Sequence, residues 1–238
     1  MNKDMNNGYL ADPDERTDSG ICIDNMPHDY SNGIYYMDNK KHKYSCLTII
    51  GQIEGHYLLS PENKTTKYEH ILPELATIEE NDNIDGLLIL LNTVGGDIEA
   101  GLAIAELIAG MNKPSVSLVL GGGHSIGIPL AVAAKKSFIV KSASMTVHPV
   151  RMNGVFLGVP QTFSYFSGIQ DRIIDFVCSN SSVDKNTFRK LMMNCEQLAM
   201  DTGTVLSGNE AVQYGIIDKI GSLSEALKAL TEMVENKG

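Results

Sequence analysis

Positive charge is in short supply in this chain. Nineteen Lys and Arg stand against 29 Asp and Glu, for a formal net charge of −10 and a sequence pI near 5.0. This balance argues against the clustered Lys and Arg that neutralise phosphates, so nucleic acid and anionic membranes are not expected as partners, whereas small molecules or proteins are. Cysteine is equally sparse. Cys22, Cys46, Cys178 and Cys195 are scattered, with no Cys-x-x-Cys pair and no histidine spacing of the zinc type. Reduced thiols and no metal site are expected. Long apolar runs are missing too: no window approaches the roughly 20 apolar residues of a membrane span. The start, Met1 to Asn7, has no apolar core of the secretory kind. The expectation is a cytoplasmic protein with no stable membrane insertion.

What is present fits a globular α/β protein. Hydrophobic residues make up 43% of 238, which suits one domain plus a tail better than two independent domains. Residues 1–44 are polar, punctuated by Gly8, Pro13, Gly20, Pro27 and Gly33, and show no sustained period. They read as a mostly disordered, flexible N-terminal extension, with the domain proper over 45–238.

From Cys46 the pattern alternates. Residues 46–53 read as a strand and 67–81 as a helix despite Pro73. Leu87 to Leu91 is an unbroken apolar run, as expected of a strand covered on both faces. Asp97 is placed to cap a helix over 97–109, with Ile98, Leu102, Ala105 and Ile108 along one side. Further strands are expected at 115–120, 137–140 and 146–147, and helices at 128–135, 183–194 and 224–236. Repeated βαβ units imply a mainly parallel sheet with right-handed crossovers. A long helix over 160–180 carries Phe163, Phe166, Ile169, Ile173, Phe176 and Val177, broadened by Tyr165 and Ile174. That stripe is wider than a one-sided surface helix needs, and it calls for a second apolar contact, within the monomer or between subunits.

Chemistry concentrates at strand ends, where such sheets place their sites. Ser125 lies in Gly121-Gly122-Gly123-His124-Ser125-Ile126-Gly127, between an apolar strand and a helix. Glycines admit backbone angles closed to other residues, and a helix start directs N–H groups at the charge that develops in acyl transfer. His148, 23 residues further on at the end of another apolar run, is a candidate base. Asn92 to Asp97 would bring bare backbone N–H groups beside the serine, and the N–H of Ile126 is a second donor to an oxyanion.

Taken together these segments resemble the ClpP serine peptidases. Asn92-Thr93-Val94-Gly95-Gly96-Asp97 with Ala100-Gly101 matches that family's N-S-P-G-G segment and its A-G. Gly123-His124-Ser125-Ile126-Gly127 stands for A-A-S-M-G, and Met145-Thr146-Val147-His148-Pro149 for M-I-H-Q-P. Residues 206–220, with Glu210-Ala211 and Tyr214-Gly215-Ile216-Ile217-Asp218, match the C-terminal signature. The resemblance runs over about residues 46–225, in order. Val147 to Arg151 and Gly158 to Phe163 look most like the translocation-enhancing, TepA-like branch.

The resemblance implies a ClpP/crotonase-like α/β core of repeated βαβ units with a long handle helix at 160–180. It implies a serine endopeptidase in which Ser125 attacks, His148 relays the proton and Gly96 and Ile126 donate to the oxyanion. It implies a homo-oligomer of seven-membered rings that encloses proteins or peptides, fed by a partner AAA+ ATPase. No cofactor is implied. The third triad member is assigned to Asp201, whose segment aligns only if two residues are deleted after Thr202; Glu196 and Asp218 are the fallbacks. His124, where the family has a small residue, could bond the turn, alter substrate fit or compete as base. Arg151 replaces a neutral residue near His148. Other readings are a Ser-Lys signal-peptide peptidase, for which Lys135 and Lys136 lie about 15 Å along a helix from Ser125; a crotonase-type acyl-CoA enzyme using carboxylates; and a catalytically weak or inactive assembly or adaptor protein.

Overall fold

The computed structural model describes residues 33–151, 158–195 and 202–236. In chain order the elements are β1 (Ile34–Asp38), β2 (Lys43–Glu54), β3 (Thr65–Lys67), α1 (Tyr68–Glu80), β4 (Gly86–Gly96), α2 (Ile98–Gly110), β5 (Ser115–Gly123) and α3 (Gly127–Val132). They continue as β6 (Lys136–Ile139), β7 (Ser144–Val147), α4 (Val159–Ser179), α5 (Lys185–Met192), β8 (Thr204–Ser207), α6 (Gly208–Gln213), β9 (Lys219–Ile220) and α7 (Leu223–Glu235).

The central strands run in the order β1-β2-β4-β5-β6-β9, parallel from β2 onwards. This is the mainly parallel sheet that alternating strands and helices imply. Its strands carry apolar side chains on both faces because both faces are covered. Along β4, Leu87, Ile89 and Leu91 join the larger core beneath α1, α2 and α3, while Leu88 turns to the other face. There it meets Tyr44, Cys46, Val116, Leu118 and Phe138, closed over by Ala226, Ala229 and Leu230 of α7. The two-residue period of a strand thus sorts one apolar run into two cores.

The chain departs from its sequence reading at the N-terminal side. Residues 33–44 were grouped with a polar extension, yet β1 pairs antiparallel with β2, Ile34 opposite Leu47, and Ile34 is buried. Ile34, Tyr35 and Tyr36 are strand-favouring residues set in a polar stretch, and pairing with β2 makes them a strand. Residues 1–32 lie outside the described residues. A second departure is β8, which pairs antiparallel with β7, Val147 opposite Thr204. This short ladder braces the strand that leads to His148. The helix expected over 128–135 is a shorter one ending at Val132, after which Ala133 to Lys135 turn into β6.

Side chains set several helix starts, at Asp97 as the sequence predicts and at two serines that the sequence reading did not single out. The Asp97 carboxylate accepts from Ala100 N–H at 2.9 Å, capping α2. Ser207 and Ser222 each form a capping box, with Glu210 and Glu225 respectively. The α4 helix is amphipathic in two senses. Its later half buries Ile169, Ile174, Phe176 and Val177, whereas Val159, Phe163 and Tyr165 at its start are exposed. Among the described residues no helix is long and apolar enough to cross a membrane.

Candidate active site

Ser125 follows β5 and precedes α3 with φ 56°, a left-handed backbone angle that L-residues avoid. Four hydrogen bonds hold it there. His124 N–H donates to Thr93 O at 3.2 Å, tying the turn to β4, and Ser125 N–H donates to Thr146 O at 2.9 Å, tying it to β7. Gly127 and Ile128 N–H then donate back to His124 O and Ser125 O at 2.9 and 3.0 Å, starting α3. A strained serine secured on all sides is displayed rather than folded away.

Beneath it, Gly95 leaves no room for a side chain. A Cβ there would lie 2.8 Å from Ser125 Cβ and 3.0 Å from His124 O, and its φ is +93°. Gly96, with φ +153°, presses as closely on β2, where a Cβ would meet Ile53 O at 2.2 Å. Thr93 fixes this segment from below: its buried hydroxyl accepts from Gly95 N–H at 3.0 Å and donates to Gly51 O at 2.7 Å. Asn92 does the same sideways, accepting from Gly122 N–H at 2.9 Å where the β4–β5 register slips. Asn92 and Thr93 stood inside the sequence motif, but nothing in their spacing revealed these tasks.

A pocket of about 150 Å³ is lined by Gly96, Ser125, Ile126 and His148 together, with Arg151 also lining it. The rest of its lining is apolar, including Ile98, Ile128, Ile173 and Met192, and among the described residues no carboxylate faces it. His148 Nδ1 lies 2.7 Å from Pro149 O. A carbonyl only accepts, so the ring proton of neutral His148 sits on Nδ1 and its Nε2 carries a lone pair. That is the tautomer a base acting through Nε2 requires. The carbonyl of Pro149 was not foreseen from the sequence, which shows side chains and not where a main-chain oxygen will point.

The neighbouring histidine has a different setting. His124 Nδ1 lies 2.9 Å from Thr146 Oγ1, and its Nε2 fits against Gly122, 2.6 Å from where a Cβ would be. Burial first, and the nearby His148 second, push its pKa below the ordinary histidine value. The remaining candidates lie elsewhere. Asp218 Oδ2 accepts from Ser137 N–H and Oγ at 2.8 and 3.0 Å, anchoring the start of β6. Lys135 Nζ donates to Ala109 O at 2.9 Å, and the Lys136 ammonium lies over the Phe138 ring. Asp201 and Glu196 lie outside the described residues. Among the described residues no group of His, Cys, Asp and Glu is arranged to hold a metal ion.

A parallel sheet that lifts a serine on a strained strand-to-helix turn, with a histidine lining the same small pocket, has the ClpP/crotonase-like α/β architecture. The chain belongs to the Clp protease family, whose model matches residues 40–224. It is 55% identical over 192 residues to the translocation-enhancing protein TepA of Halalkalibacterium halodurans, covering 81% of this chain and 75% of that protein. It is 27% identical over 159 residues to the ATP-dependent Clp protease proteolytic subunit of Streptococcus sanguinis, covering 63% and 76% of the two chains. A solved ClpP1 mutant from Listeria monocytogenes has the same fold, with a TM-score of 0.60 at 22% identity over 76% of this chain and 94% of the other.

Proposed function

We propose that this chain is a serine endopeptidase that hydrolyses peptide bonds through Ser125 and His148. The observation that carries this reading is the shared pocket: a strained, well-secured Ser125 stands with His148, whose Nε2 lone pair is set by the Nδ1–H bond to Pro149 O. Ser125 Oγ attacks the peptide carbonyl while His148 Nε2 takes its proton and later delivers it to the leaving amine. Gly96 and Ile126 N–H groups stabilise the oxyanion, each worth on the order of 10²–10³ in rate. Asp201 is the carboxylate assigned to stabilise the imidazolium, on the strength of the sequence pattern. The apolar lining suits a hydrophobic side chain before the cleaved bond.

The proposal extends to assembly. Val159, Phe163 and Tyr165 are 81%, 73% and 61% exposed at the start of α4, an apolar surface that suits self-association. The reading includes homo-oligomeric rings enclosing the site in a cytoplasmic chamber, with a AAA+ ATPase as feeder, and membership of the Clp protease family supports it. One observation favours a second reading: the 55% identical relative is named for enhancing translocation and not for proteolysis. In that reading the chain is a weak or inactive assembly or adaptor protein.

One substitution tests both. Wild-type protein treated with a fluorophosphonate should be labelled at Ser125 and should cleave a fluorogenic peptide. Ser125→Ala should lose labelling and about 10⁶ in kcat. Labelling retained in Ser125→Ala overturns the mechanism, and a wild type that neither labels nor cleaves supports the adaptor reading.

A further inference from the structure

Fixing Ser125 relative to His148 is a local problem that the sheet itself leaves unsolved. Ser125 extends β5 and His148 extends β7, yet β5 and β7 are paired at a single position, Gly122 opposite Ser144. One ladder pair does not define how the two strand ends lie beyond it. Ser125 moreover sits at φ 56°, an angle that is unfavourable for a non-glycine residue and kept only where surroundings enforce it.

We infer that His124 is a positioning residue for the reaction at Ser125: its ring bonds Thr146 and so clasps the nucleophile turn to the strand that carries His148. This rests on the peptidase reading. The clasp has two strands of its own, because Ser125 N–H donates to Thr146 O at 2.9 Å and His124 Nδ1 meets Thr146 Oγ1 at 2.9 Å. Both residues of the turn therefore grip one residue, and only Val147 separates that residue from His148. The grip is short on each side, so little slack enters between Oγ and the base.

The ring is also seated, not merely bonded. Its Nε2 edge fills the space that Gly122 leaves by lacking a Cβ, while its main-chain N–H is spent on Thr93 O. With Nδ1 on Thr146 and Nε2 against Gly122, both ring nitrogens are turned to β5 and β7, which makes the ring a support and not a second base. Burial first and His148 second favour its neutral form, which suits a ring placed near the imidazolium that forms at His148. From β4 and β5 the groups facing it, Thr93 and Gly122, are uncharged.

A double-mutant cycle on a fluorogenic peptide tests this, with urea midpoints recorded alongside. His124→Ala and the near-isosteric Thr146→Val should each lower kcat up to about tenfold with KM little changed, the rate equivalent of one neutral hydrogen bond. The double variant should fall no further than the worse single one, since both remove the same bond. Thr146→Ser, which keeps the hydroxyl, should restore most of the kcat lost in Thr146→Val. Losses that add, a change in KM alone, or a His124→Ala defect as deep as that of Ser125→Ala would overturn the assignment. If His124→Ala does not fold, the Thr146→Val and Thr146→Ser pair decides. A wild type that neither labels nor cleaves removes the peptidase reading and this inference together; an active wild type with an additive cycle removes only the inference.

Discussion

At Gly95 a single hydrogen in place of a methyl group decides whether Ser125 can stand where it does. The would-be Cβ overlaps Ser125 Cβ at 2.8 Å, and the φ of +93° is strained for any other residue. Gly110 at the end of α2 offers the opposite case, with nothing within 4 Å of its would-be Cβ. Gly95→Ala should therefore lower kcat on the order of 10²-fold, as expected when a reacting atom is displaced by a fraction of an ångström to an ångström. Gly110→Ala should leave peptide hydrolysis as it is and hold or slightly raise the melting temperature. Equal behaviour of the two variants would show that Gly95 is a turn residue with no bearing on the serine. Both positions are plain glycines in the sequence, and what separates them is the distance to a residue 30 positions away in the chain.

At the level of elements, the start of α2 and the segment proposed to hold the oxyanion are one construction. Gly96 ends β4, Asp97 N–H donates to Ile53 O at 3.0 Å, and the Asp97 side chain caps the helix through Ala100 N–H. The same carboxylate occupies the space that Gly55 leaves open. Asp97→Ala should cost about 1 kcal/mol of stability, the usual value of an N-cap. It should lower kcat more than it raises KM, because the loosened residue is the neighbour of Gly96. A loss of stability with kcat intact would show that the helix start does not locate Gly96. Asp97 was legible in the sequence as a cap because capping is local chemistry. The partnership of Thr146 with His124 and Ser125 was not, since it joins residues more than 20 apart that carry no shared pattern.

At the scale of the whole molecule, α7 covers the sheet face opposite α1, α2 and α3. The family-matched segment ends at residue 224, so most of α7 lies beyond it. The helix nonetheless closes the second core with Ala226, Ala229 and Leu230 over Leu88, Val116, Leu118 and Phe138. It is fastened at its far end as well: Tyr44 OH and Thr231 Oγ1 lie 2.9 Å apart, and Lys41 pairs with Glu235. Leu230 is fully buried, and Gly86 passes it closely enough that a Cβ would lie 2.9 Å from Leu230 Cδ1. Leu230→Ala should destabilise the fold by about 2–5 kcal/mol in urea titration. The hydrolysis rate per folded molecule should stay unchanged, because Leu230 touches the sheet face away from α1, α2 and α3. Burial on this face also pushes the Cys46 thiol up to about 11, so Cys46 should stay unreactive towards thiol reagents until unfolding.

The sequence by itself determined the alternating elements, the parallel sheet, the serine turn and the family, because apolar periodicity, glycine placement and N-caps act over a few residues. It also placed Gly96, Ser125, Ile126 and His148 at strand ends, and the fold gathers these four on one pocket. Only the folded chain shows that β1 joins the sheet: Ile34, Tyr35 and Tyr36 favour a strand, but so short a segment forms one only against β2. Tertiary structure alone decided that Asp218 is spent on Ser137 and that Pro149 O sets the His148 ring. Hydrogen bonds between segments depend on where the main chain passes, and no local pattern in the chain encodes that.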